Sequence, residues 1–187
     1  MLELVFVIVV IGILAAAIIP RFERDTLYEA TEQLQSHIKY TQHLAMTDNV
    51  YQDDVPTWFY ERWKIDFSNA NQYVISKGMS GTSFFDNNDT ARDPLTGDDM
   101  DGTTIDAYDL NDKYNVTITF PAGETDDVLA FDHLGRPHTL DSTGGEPASS
   151  VASIRNTDYV ITLTASNGDQ ATITVTAETG YTFITFL

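Results

Sequence analysis

The first feature of this 187-residue sequence is an uninterrupted apolar segment close to its start. The sixteen residues from Leu4 to Ile19 are drawn only from Leu, Val, Phe, Ile, Ala and one Gly. As a helix they would span roughly 24 Å, slightly less than a hydrocarbon core of about 30 Å. The segment therefore predicts a retained membrane anchor. A buried core helix is one alternative, and a signal peptide is another, although Glu3 stands where a signal peptide has basic residues.

The helical pattern continues beyond Pro20 and becomes amphipathic. Residues at three- or four-residue spacing form one apolar stripe: Leu27, Ala30, Leu34, Ile38, Thr41 and Ala45. Polar residues lie between them, as is typical of a helix that packs one face on a domain. We expect one helix, with residues 1–20 as its hydrophobic membrane and assembly segment and residues 21–49 as its amphipathic continuation. Gly12 and Pro20 are its points of flexibility, since proline removes a backbone hydrogen bond.

The remaining residues, 50–187, predict a β-rich globular domain. Strand-like segments alternate apolar with polar residues or are rich in β-branched residues, at 63–67, 73–76, 116–120, 128–131, 159–165, 171–177 and 181–186. No helical pattern separates one segment from the next, so we expect antiparallel pairing. The predicted fold class is α+β, a long N-terminal helix (membrane half plus amphipathic half) packed on an antiparallel β-sheet domain.

Composition and charge exclude several kinds of function. The chain has no cysteine, which excludes disulfides, thiolate zinc sites and cysteine nucleophiles. Its net charge of −18 repels phosphate, so we expect no nucleic-acid partner. His37 and His43 lie six residues apart, unlike paired metal ligands on one helix face, and His133 and His138 are interpreted as surface or loop residues. No phosphate-binding loop or nucleophile motif is present in the sequence, so we expect no enzyme.

The segment from Leu2 to Pro20 resembles the N-terminal helix of type IV pilins and type II secretion pseudopilins. Glu3, Gly12 and Pro20 stand at that family's spacing, and the Gly-Ile-Leu-Ala-Ala sequence matches its usual pattern. The resemblance implies a pilin-like fold, with leader processing and N-methylation implied in the same way. A looser resemblance, in residues 128–137 and the C-terminal hairpin, is to the H-type minor pseudopilins.

Glu3 has two interpretations. A carboxylate near a bilayer centre costs about 2.5–3.5 kcal/mol and should therefore have a partner. By the resemblance, Glu3 meets the N-terminal amine of a neighbouring subunit and sets the register of assembly. The alternative is that its charge merely interacts favourably with the dipole at the helix N-terminus.

Residues 86–112 form a predicted acidic loop with nine Asp and one Arg. Several hard oxygen ligands within a few residues suit Ca²⁺, and the candidate ligands are Asp98, Asp99, Asp101 and Asp106. The spacing does not fit an EF-hand, so a solvated acidic loop is the alternative. Trp58 and Trp63, in a short aromatic cluster, are candidate protein-contact residues, with core packing as the alternative.

The predicted function is a pilin-like or pseudopilin structural subunit, assembled by its N-terminal helix into a type IV pilus or type II secretion pseudopilus as a minor component. Its predicted location is the bacterial inner membrane, as a single-pass protein with a periplasmic domain, or an extracellular filament once assembled. The resemblance implies other pilin or pseudopilin subunits, the inner membrane, an assembly platform and a prepilin peptidase as partners. The alternative is a membrane-tethered or secreted β-domain binding module with calcium as its cofactor.

Overall fold

A computed structural model describes residues 2–48, 50, 61–67, 71–77, 90–101, 108–120, 128–139 and 154–187. Two helices and eight strands follow one another along the chain. They are α1 (Leu2–Thr47), β1 (Lys64–Asp66), β2 (Val74–Ser76), α2 (Leu110–Tyr114), β3 (Val116–Thr119), β4 (Val128–Phe131), β5 (Pro137–Thr139), β6 (Tyr159–Ala165), β7 (Gln170–Val175) and β8 (Thr182–Phe186).

The strands form two four-stranded antiparallel sheets. The first has the order β2-β1-β4-β5 and the second has the order β3-β6-β7-β8. The second sheet follows the period of two that its sequence predicts, because Tyr159, Ile161 and Leu163 of β6 are buried while the residues that alternate with them, at 160, 162 and 164, are half-buried. Its strands β6, β7 and β8 are joined in sequence order by tight turns, which fix the register.

Each of the seven predicted strand segments contains a strand, with differences of one or two residues at the ends. The prediction omitted β5, a three-residue strand that begins at a proline, where strand signals are weak. It also omitted α2, which has only five residues. The Asp109 carboxylate accepts hydrogen bonds from the backbone N–H groups of Asn111 and Asp112 and so caps this helix, and Asn115, at φ 56°, ends it.

The core lies between α1 and the two sheets. All six residues of the predicted stripe are buried, and none is more than 4% exposed. Five of them, all except Thr41, belong to a cluster that also holds side chains from both sheets, among them Ile65 and Ile173. The amphipathic pattern therefore identified the face of α1 that packs on the domain.

The predicted fold class, with its pilin-like membrane half, is wrong. Beyond α1 the structure consists mainly of antiparallel strands in two sheets. Within the described residues, none of the helices is both long and apolar enough to cross a membrane. The predicted single-pass location in the bacterial inner membrane, with a periplasmic domain, is corrected on the same finding.

Candidate assembly surface

The beginning of α1 carries an exposed apolar surface, which we call the apolar part of α1 (residues 3–14). Its ten large apolar side chains are between 38% and 68% exposed: Leu4, Val5, Phe6, Val7, Ile8, Val9, Val10, Ile11, Ile13 and Leu14. Glu3, in the first turn, is also exposed. A continuous exposed apolar surface of this kind is typical of an interaction site, because each such side chain gains about 1.5–3 kcal/mol on full burial.

The later residues of α1, which we call the docked part (residues 26–47), are held on the domain by polar contacts as well as by the stripe. Gln33 donates its amide N–H to the Tyr73 hydroxyl oxygen at 2.8 Å, and that hydroxyl lies 2.7 Å from Nδ1 of His37. Burial lowers the pKa of His37 to about 4, although the nearby Asp93 carboxylate acts in the opposite direction, so the buried imidazole is neutral near pH 7.

A second ring links this site to the loop that follows β2. Tyr108 packs against both His37 and Tyr73, with ring centroids 5.8 Å apart in each case. Its hydroxyl donates to the Asp93 carboxylate at 3.1 Å. Burial alone would raise the pKa of Asp93, but hydrogen bonds from Leu95 N–H and Tyr108 hold that pKa below its ordinary value. The docked part therefore contacts the domain through a buried aromatic and ionic cluster.

A third contact joins the docked part to two tight turns. The Gln42 side chain donates to the backbone carbonyl of Gly135 at 2.8 Å. Gly180, at φ 68°, lies directly against this contact: a Cβ built on it would be 2.3 Å from the Gly135 oxygen and 2.5 Å from Nε2 of Gln42. Only glycine fits here, because the backbone is left-handed and the space is already filled.

The turn that contains Gly135 is organised by Asp132, whose side chain is buried. One oxygen accepts from the backbone N–H groups of Leu134 and Arg136, and the other accepts from the Arg136 guanidinium at 2.7 Å and from His138 at 3.2 Å. Burial would raise the pKa of Asp132, but these donors hold it well below its ordinary range. Arg62 donates to the opposite ring nitrogen of His138 at 3.0 Å, and burial lowers the pKa of that histidine.

This geometry corrects the interpretation of His138. The sequence predicted a surface or loop residue, but His138 lies in β5 and is fully buried. Its partners, Asp132 and Arg62, lie six and 76 positions away in the chain, so no local sequence pattern predicted these contacts. His133 is exposed in the turn, as expected. Gln33, Gln42 and Tyr73 are likewise functional contacts that sequence reasoning missed, since polar residues beside an apolar stripe usually face solvent.

The structure places the other predicted site residues as follows. Gly12 lies in the apolar part of α1, and no atom comes within 4 Å of a Cβ built on it. Pro20 lies within the α-helical backbone of α1. Trp63 is buried, and its indole N–H donates to the Asp48 carboxylate at 3.1 Å, while the Lys77 ammonium donates to the same oxygen at 2.8 Å. Trp58 lies outside the described residues.

The candidate calcium ligands are only partly described. Asp98 and Asp99 are exposed, Asp101 is half-buried, and Asp106 lies outside the described residues. The Asp99 carboxylate lies 3.5 Å from the Arg92 guanidinium. Among the residues that the structure describes, no group of three or more His, Cys, Asp or Glu side chains could hold a metal ion. The calcium site therefore stays a prediction.

The described part of α1 thus combines an exposed apolar surface at residues 3–14 with a docked part that is held on the domain. Comparisons with protein-family models, with curated proteins and with solved structures found no match to this chain.

Proposed function

We propose that this chain is a structural subunit that assembles, through the apolar part of α1, into a filament of the type IV pilin or type II secretion pseudopilin kind. The observation that carries the proposal is the set of ten exposed apolar side chains between Leu4 and Leu14. The partners are copies of this chain or other subunits with a similar helix. Their helices bury one another's apolar side chains.

The arrangement of α1 supports this proposal. The apolar part and the docked part belong to one helix, Leu2–Thr47, so the domain holds the apolar part through a continuous backbone. The ten side chains are 38–68% exposed, so burial of their remaining exposed surface in neighbouring subunits would contribute about 1 kcal/mol each and together offset the cost of bringing subunits together. The resemblance of Leu2–Pro20 to the N-terminal helix of pilins points to the same use.

Glu3 provides selectivity within this surface. It is the only charged residue among residues 2–14, so it would be the only charge buried when helices pack. A buried carboxylate requires a cationic or hydrogen-bonding partner, and only some axial positions of a neighbouring helix can supply one. We propose that Glu3 sets the register between subunits.

The first test compares two changes from an apolar residue to aspartate on the same helix. Ile8→Asp places a charge in the apolar part, where Ile8 is 61% exposed, and Met46→Asp places one in the docked part, where Met46 is 48% exposed. Filaments are sheared from cells that produce the full chain, and the amount of this protein in the pellet is measured by immunoblot. We expect Ile8→Asp to abolish incorporation, because a buried unpaired charge costs several kcal/mol, and Met46→Asp to preserve it.

Folding must be separated from assembly in this test. The unfolding temperature of each variant is therefore measured beside its incorporation, because Met46 lies against the Gly135 turn and its replacement can lower stability without affecting assembly. Glu3→Ala is then compared with Glu29→Ala, an exposed acid of the docked part, and only the former should lower incorporation. Wild-type incorporation of the Ile8→Asp variant would refute the assembly surface, and wild-type incorporation of Glu3→Ala would refute the register role alone.

A further inference from the structure

Strand β8 is an edge of the second sheet that α1 covers only in part, where Tyr28 stacks on Phe186 with ring centroids 5.7 Å apart and Gln35 reaches Thr182. Proteins normally protect such edges with charges, proline, bulges or a covering element. Residues 181–187 contain neither a charged side chain nor a proline, although the whole chain has 28 acidic residues. Several of their side chains are exposed: Tyr181 67%, Phe183 37%, Phe186 49% and Leu187 74%.

The opposite edge of the same sheet, β3, is protected. β3 has four residues, and the backbone N–H of Ile118 donates to the Asn71 side chain at 3.0 Å. An outward-pointing backbone group of β3 is therefore occupied within the monomer. One outward group of β8 is occupied in the same way, by Gln35 at Thr182, but the strand continues beyond it to Phe186.

The hydrogen bonds to β7 show which backbone groups of β8 point away from the sheet. Thr176 N–H donates to the Tyr181 carbonyl, and Leu187 N–H donates to the Gln170 carbonyl. Because bonding alternates along an antiparallel strand, the backbone groups of residues 182, 184 and 186 point outward. Gln35 of α1 already donates to the Thr182 carbonyl at 3.2 Å. Within the described residues, the outward groups of Ile184 and Phe186 are left for another strand.

We propose that β8 pairs with β8 of a second copy of this chain, antiparallel about a two-fold axis at Thr185. This register joins the outward backbone groups of Ile184 in one copy to those of Phe186 in the other, and it leaves Thr182 to Gln35. On one face Phe183 lies opposite Leu187 and Thr185 opposite Thr185, and on the other face Ile184 lies opposite Phe186. Aromatic, β-branched and threonine pairs of this kind are favourable across strands.

The placement of the free backbone groups favours a second copy at this place: Ile184 and Phe186 lie symmetrically about Thr185, so β8 can satisfy both by pairing with itself. Two chains of net charge −18 repel one another, so a contact between copies must use a surface without charge. Strands β3, β6, β7 and β8 contain no charged residue, and β8 is an edge of their sheet. The pairing does not use residues 3–14, so it is independent of the proposed assembly surface.

The first test uses the absence of cysteine from the chain. In the proposed register Thr185 faces its own copy at a non-hydrogen-bonded position, where Cα atoms are about 4.5 Å apart and a disulfide can form. The full-length Thr185→Cys variant, kept in mild detergent that covers the apolar part of α1, should form disulfide-linked dimers on oxidation. Thr119→Cys is the matched control, because Thr119 is the exposed threonine of the same cross-strand row at the β3 edge.

The second test is a charge exchange at the same position. Thr185→Lys and Thr185→Glu should each lower dimer affinity by at least about tenfold in sedimentation experiments, since like charges would face one another. An equimolar mixture of the two variants should restore pairing, which a merely structural defect would not do. Equal cross-linking of Thr185→Cys and Thr119→Cys, or failure of the mixture to pair better than each variant alone, would overturn the proposal.

Discussion

The apolar part and the docked part of α1 share one helical backbone and differ in what covers them. In the docked part, Leu27, Ala30, Leu34 and Ile38 are at most 4% exposed, whereas in the apolar part Leu4, Phe6 and Ile13 are more than 60% exposed. Most helical stability in proteins comes from packing of an amphipathic face. We therefore expect folding stability to depend on the docked part and assembly to depend on the apolar part, so that mutations can separate the two.

The largest expected effect comes from the same truncation in both parts. Ile38→Ala removes a fully buried side chain from the core and should lower the free energy of unfolding by about 2–5 kcal/mol. Ile8→Ala removes a side chain that is 61% exposed and should change that free energy by less than about 0.5 kcal/mol. Urea denaturation of the full chain in mild detergent, followed by tryptophan fluorescence, measures both values.

The comparison between the two parts would be wrong if Ile8→Ala destabilised the protein as much as Ile38→Ala. In that case the apolar part would belong to the cooperative core. A normal slope of free energy against urea concentration in both variants is the control, because a changed slope would show that the compared states differ in exposed surface.

The docked part should also make stability depend on pH. The folded-state pKa of His37 is about 4, below its ordinary value of 6.5, because burial of the ring outweighs the attraction of the Asp93 carboxylate for the charged form. The unfolded state therefore takes up a proton first as the pH falls. The contribution of His37 to the free energy of unfolding is fully present above about pH 7 and decreases between pH 6.5 and 4. The total decrease in the free energy of unfolding is up to about 3 kcal/mol.

Unfolding free energies measured at steps of pH between 7 and 4 test this prediction. His37→Gln removes the titrating group. The slope of unfolding free energy against pH should therefore fall in this variant by the amount that corresponds to the uptake of about one proton on unfolding. His138, whose pKa is also lowered by burial, contributes with the same sign and should remain in the variant. An unchanged slope in His37→Gln would show that the ring does not stay neutral in the folded protein.

The sequence was sufficient for the elements whose signals are local. The stripe from Leu27 to Ala45 and the alternation in residues 159–165 each follow from the periodicity of a single helix or strand. The division into two sheets depends instead on pairings such as β1 with β4, whose residues are more than 60 positions apart. No local pattern encodes such a pairing, so the strand order of the two sheets could not be predicted from the sequence.

The candidate site was predicted where it depends on composition and missed where it depends on packing. The apolar residues from Leu4 to Leu14 were visible at once, although the structure does not support the membrane span inferred from them. The contacts of Gln33, His37 and Tyr73 could not be inferred, because residues 33 and 73 meet only after the domain has folded. His138 was misinterpreted for the same reason, since its buried partners Arg62 and Asp132 come from other segments.

The smallest effect should come from Gly12→Ala, which refines the comparison to a single methyl group. Glycine inside a helix costs about 1 kcal/mol relative to alanine, and the added Cβ would meet no atom within 4 Å. We expect slower amide hydrogen exchange around residue 12 and an unchanged midpoint of global unfolding. Gly180→Ala is the contrasting variant: its Cβ would collide with the Gly135 carbonyl beneath the docked part, so the global midpoint should fall. A lower midpoint for Gly12→Ala would mean that the apolar part contacts the domain after all.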